Sequence, residues 1–77
     1  MNKVYIISDS LKQASYYAEK SKTMYWIYVC NMTQLLGIDI NTVIVIYGPM
    51  DGVTTYKLYR EAKIRGFKNI FRVMDVK

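Results

Sequence analysis

The stretch "VIVIYG", residues 43–48, constrains this chain more than any other. Four β-branched aliphatic residues and a tyrosine follow one another with no polar alternation, and a glycine ends the run. Branching at Cβ favours extended backbone. A strand without a polar face must be covered on both sides. The fold class that follows is α/β, with helices above and below a sheet. "KVYIIS" (3–8) is a second run of the same kind.

Between the runs the periodicity changes. "SDSLKQASYYAEKSK" (8–22) has helical spacing, with Leu11, Ala14, Ala18 and Ser21 on one side. Ser10 and Gln13 form a capping-box pattern that starts the helix. "MYWIYVC" (24–30) is an aromatic-rich strand that ends in Cys30, a small core residue. "NMTQLLGID" (31–39) is a connector with one helical turn ending at Gly37. "TTYKLYREAKIRGF" (54–67) is a second helix, capped by Thr54 or Thr55. Gly66 is placed for a left-handed C′ residue, with Phe67 folded back on Ala62. Glu61 and Arg65 are spaced to pair. "NIFRVMDV" (69–76) is the last strand, and Arg72 marks it as an edge.

The order β-α-β-β-α-β favours parallel pairing through right-handed crossovers. Placing the two non-alternating runs centrally gives a four-stranded, mostly parallel sheet of order 2-1-3-4 with one helix on each face. Residues 1–77 form a single domain of this small, doubly wound kind. One helix cannot cover a four-stranded face, so large amphipathic side chains must shield the remainder. Tyr25, Trp26 and Tyr28 suit that role, and a homodimer would cover the same area.

Composition removes several function classes. There is no His and only one Cys. Imidazole metal sites, Cys/His nucleophile pairs and a structural zinc site are excluded, as is an internal disulfide, which suits a reducing cytoplasm. No apolar run approaches the roughly 18 residues that span a bilayer, and no hydrophobic leader precedes the first strand, so neither a membrane nor a secretory role is expected. The formal charge of +5 favours anionic partners.

In open α/β sheets, ligands sit at the carboxyl ends of the strands where strand order reverses. Here that point is lined by Ser8, Asp9 and Ser10 after the first strand, and by Gly48, Asp51, Gly52, Thr54 and Thr55 after the third. Two helix N-termini would favour an anion there, as in a nucleotide-binding module. No phosphate-loop or dinucleotide fingerprint is present. Asp9 and Asp51 would repel a phosphate unless a metal bridged them. Two carboxylates without a base make a poor catalytic centre, so no catalytic residue, cofactor or metal is assigned and the chain is expected not to be an enzyme.

The helices carry basic residues interleaved with tyrosine. On the first, Lys12, Tyr16 and Lys20 lie opposite the apolar side. On the second, Lys57, Arg60 and Ile64 share an outward face, with Tyr56 and Lys63 beside it. Such a face suits single-stranded nucleic acid or an acidic protein partner. The two basic faces point in opposite directions, which favours a protein partner or short single strands over a duplex.

"QASYYAEK" (13–20), "YWIYV" (25–29), "QLLG" (34–37) and "VIVIYG" (43–48) occur in this order after a first strand ending in Ser8. This order resembles that of small phage-encoded Rossmann-like proteins of uncharacterised function, over residues 3–48. Many of those proteins carry further aromatic residues after the third strand, where this chain has "GPMDGVTTYKLYREA". The resemblance implies a half-size Rossmann-like domain and a phage accessory product acting in the bacterial cytoplasm, and it supplies no catalytic residues. The leading expectation is a non-enzymatic protein that binds a host or phage macromolecule, in host takeover or defence inhibition. Nucleotide binding and single-stranded nucleic-acid binding are the alternatives.

Overall fold

The computed structural model describes residues 3–48 and 53–74. Four strands form one parallel sheet: β1 (Val4–Ile7), β2 (Trp26–Val29), β3 (Val43–Tyr47) and β4 (Asn69–Val73). Their order is β2-β1-β3-β4, as the two non-alternating runs require. Helix α1 (Leu11–Lys20) joins β1 to β2, and helix α2 (Val53–Ile64) joins β3 to β4. A 3₁₀ turn at Met32–Leu35 lies between β2 and β3.

Register assigns every strand residue to a face. Val4 pairs with Trp26 and Val43, and Ile6 with Tyr28 and Val45. This set packs against Ala14, Ala18 and Tyr17 of α1. Ile7 pairs with Val29 and Ile46, and Ile44 with Ile70. That set meets Leu58 and Ala62 of α2, joined by Leu35 and Phe67. The helices therefore lie on opposite faces. Ile6, Ile7, Ile44 and Ile46 have no exposed surface, because the central strands are covered from both sides.

The helix ends show which residues turn the chain. Ser10 caps α1, its Oγ accepting from the Gln13 N–H at 3.2 Å. The reciprocal half of the expected capping box is not made. Gln13 Oε1 instead accepts from the buried Ser8 hydroxyl at 2.9 Å. A complete capping box forms at Asn31 and Gln34. There Gln34 Oε1 accepts from the Cys30 and Asn31 amides, while its Nε2 donates to the Tyr28 carbonyl at 2.8 Å. This ties the end of β2 to the 3₁₀ turn and seats Leu35 in the core.

Both helices end in a Schellman motif. In α2, Gly66 has φ +84°, Phe67 N–H donates to the Ala62 carbonyl and Gly66 N–H to that of Lys63. In α1, Lys22 takes the left-handed position at φ 57°, Thr23 N–H reaches Ala18 and Lys22 N–H reaches Glu19. The expected Glu61–Arg65 pair closes at 2.8 Å.

Four expectations are corrected. Cys30 is exposed rather than in the core, because β2 ends at Val29 and the chain already turns there into the Asn31 cap. Leu11 is 57% exposed and Ser21 is exposed. Ser21 is the C-cap beyond the last helical residue, Lys20, and of α1 only Ala14 and Ala18 are buried. Helix α2 begins at Val53, which puts Thr54 and Thr55 inside its first turn rather than at its cap. Tyr25 precedes β2 and is exposed, whereas Trp26 and Tyr28 are half-buried against the α1 face and do shield it.

Candidate functional site

The outward face of α2 follows from its inward one. Leu58 and Ala62 bury against the sheet, and the residues about half a turn away must face solvent. Tyr56, Lys57, Arg60, Lys63 and Ile64 are all exposed, Ile64 at 72%. Lys57, Arg60, Glu61 and Ile64 line a shallow depression of about 240 Å³. Glu61 is turned toward Arg65 by their ion pair, which leaves the Lys57 and Arg60 side to carry positive charge. Lys63 Nζ lies 4.9 Å from the centre of the Tyr59 ring, a cation–π contact. The structure thus brings the five expected contact residues onto one basic surface with an aliphatic side chain in it.

At the carboxyl ends of β1 and β3, the expected anion-binding residues are differently placed. Ser8 is buried and donates to Gln13, and Ser10 Oγ accepts from the Gln13 amide. Both hydroxyls are engaged in shaping the start of α1. Asp9 is exposed. Gly48 has φ +87° and donates its N–H to the Val73 carbonyl at 2.8 Å, tying β3 to β4. Asp51 and Gly52 lie outside the described residues, as do the side chains of Thr54 and Thr55. Among the described residues no group of three or more His, Cys, Asp or Glu is clustered as metal ligands would be.

A second depression, which residue patterns alone do not reveal, opens beside this switch point on the α1 face. Lys12, Gln13, Tyr16, Tyr47, Gly48 and Met74 line about 250 Å³. Tyr47 is held from behind by Tyr17, with ring centres 5.2 Å apart, and Tyr16 lies 6.4 Å away on its other neighbour position along α1. Lys20 Nζ sits 5.6 Å from the Tyr16 ring centre. The i, i+4 spacing of Lys12 and Tyr16 was a legible signal. Met74 and Tyr47 join them only because β4 runs parallel beside β3.

On the same face, the Tyr28 hydroxyl is held above its ordinary value of 10.0, first by burial and then by the negative charges of Cys30 and Asp9. The folded protein therefore keeps this proton at pH values where the unfolded chain has lost it. Stability from Tyr28 is fully present below pH 10.0 and falls as pH rises through the folded value. Unfolding free energy measured across that range should decline less steeply in Tyr28→Phe than in the wild type. Parallel slopes would show that Tyr28 contributes nothing to alkaline unfolding.

No helix among the described residues is long and apolar enough to cross a membrane. Compared with protein-family models, with curated proteins and with solved structures, the chain has no match.

Proposed function

We propose that this chain is a non-enzymatic phage accessory protein that acts in the bacterial cytoplasm by binding a host or phage protein through the outward face of α2. The observation that carries the reading is Ile64. An aliphatic side chain 72% exposed, set among Lys57, Arg60 and Lys63, has no role in the core. Protein interfaces combine such an apolar anchor with arginine and tyrosine, and Arg60 and Tyr56 stand beside it. The net charge of +5 directs the surface toward an acidic partner. The phage origin rests on the sequence resemblance over residues 3–48. The lack of His and the single Cys support a binding role over catalysis.

Capture from bacterial lysate should retain a specific protein on the wild type. That protein should be weakened about tenfold or more by Arg60→Glu and by Ile64→Asp, and be unaffected by Lys12→Glu on the opposite face. Identical capture by wild type and both α2 variants would remove the reading. Loss of capture on nuclease treatment, with affinity falling steeply in salt, would transfer the surface to single-stranded nucleic acid.

A further inference from the structure

The depression on the α1 flank has walls and donors of a particular kind. Its apolar lining is two tyrosine rings and the Met74 thioether, groups that contact a flat ring well on its face and edge. The one charged side chain in its lining, Lys12, is positive. Lys12 forms no ion pair among the described residues, and an ammonium can only donate. Gln13 Oε1 is occupied by the Ser8 hydroxyl, while its Nε2 has no partner among the described residues. At the floor, Gly48 has no side chain, and a Cβ there would approach Gln13 Oε1 to 3.7 Å. The hollow therefore offers stacking surface and hydrogen-bond donors.

We infer that this depression is a binding site for a small planar aromatic anion. The ring would lie between Tyr16 and Met74 over the edge of Tyr47, and its acidic group would meet Lys12 and the Gln13 amide. The volume of about 250 Å³ falls just under the ~300–1,000 Å³ of typical ligand pockets, so it suits one ring with its substituent rather than an extended cofactor. The back of the hollow is set in advance. Tyr47 is 8% exposed and clamped by Tyr17, Tyr16 carries Lys20 against its ring, and the Gly48–Val73 hydrogen bond fixes β3 to the segment that leads to Met74. Ordering of the exposed Lys12 and Met74 side chains is left to the ligand, which limits a single-ring molecule to modest affinity. The site is on the opposite face from the proposed α2 surface and does not depend on it.

The same chemistry is offered by a nucleobase with its phosphate and by an aryl carboxylate. Chemical-shift mapping on the full chain should use nucleoside monophosphates in one arm and phenylacetate and N-acetyltyrosinate in the other. Binding by either arm, with shifts centred on Lys12, Tyr16 and Met74, is expected, and the tighter arm identifies the acidic group. Affinity should fall about tenfold in Lys12→Gln and in Tyr16→Ala, both exposed positions whose fold circular dichroism can verify. Uncharged nucleosides and phenylacetamide should bind about tenfold more weakly than their anionic counterparts. Absence of binding by both arms at millimolar concentration would overturn the inference. So would equal binding of inorganic phosphate alone, or affinities unchanged in both variants.

Discussion

Leu58→Ala should remove about 2–5 kcal/mol of stability. A domain of 77 residues has only about 4–12 kcal/mol to lose. The size of the effect follows from how α2 is attached. Of its described side chains, Leu58 and Ala62 are the buried ones, at 1% and 0% exposed. Ala62 brings the helix close but contributes little apolar area. Leu58 is the large aliphatic member that α2 gives to the cluster of Ile7, Ile44 and Ile46, with the Tyr59 ring packed partly buried against it. Among the described side chains of α2 no second large aliphatic residue is buried to take up the space, so the lost methyl groups leave a cavity beside rigid β-branched strands. Ile64→Ala provides the contrast. It deletes a similar side chain from the same helix at a position 72% exposed, and should shift stability by no more than about 0.5 kcal/mol. Urea unfolding of the two variants beside the wild type decides the matter. Equal midpoints for Leu58→Ala and Ile64→Ala would mean that α2 does not dock through the face assigned to it.

The same contrast explains how far the sequence can be read. Strand order was legible because "KVYIIS" and "VIVIYG" carry no polar face, and Ile6, Ile7, Ile44 and Ile46 are indeed sealed on both sides. The Gly66 ending and the Glu61–Arg65 pair were legible because each depends on residues within one turn. Positions at the ends of elements were not. Leu11 and Cys30 carry apolar side chains in the right phase, but Leu11 is the first residue of α1 and Cys30 lies one past the end of β2, and both are exposed. Periodicity gives a direction around an axis and says nothing about whether a neighbour extends far enough along it. The two capping boxes make the point from the other side. Ser10 and Gln13 have the right spacing, yet the buried Ser8 hydroxyl, a neighbour outside the motif, takes the Gln13 carbonyl oxygen. Asn31 and Gln34 have the same spacing and complete the motif. The candidate surfaces divide in the same way. The α2 face was legible because a single helix presents it. The α1 hollow needs Tyr47 and Met74 from two strands far apart in sequence, and only the parallel register brings them together.

Two substitutions of opposite sign test the helix endings that set these registers. Gly66→Ala should cost about 1–2 kcal/mol, the penalty for placing a Cβ in the left-handed region. The cost is purely conformational, since no atom lies within 4 Å of where that Cβ would stand. Lys22 occupies the equivalent position of α1 at φ 57° and already bears this strain. It is held there by hydrogen bonds on both sides: Ser21 Oγ donates to the Tyr17 carbonyl at 2.8 Å and meets Thr23 Oγ1 at 2.7 Å. Lys22→Gly relieves the strain but frees the unfolded chain, which returns roughly 0.5–1 kcal/mol of the gain. A net stabilisation of up to ~1 kcal/mol is expected. The two sites end helices on opposite faces of the sheet and share no partner, so their effects should add in the double variant. Denaturant unfolding of both single variants and the double variant should therefore show one loss, one smaller gain, and a double variant that retains only the difference. A destabilised Lys22→Gly would mean that the lysine side chain contributes a contact outweighing its backbone strain, and that α1 is not closed by its backbone hydrogen bonds alone.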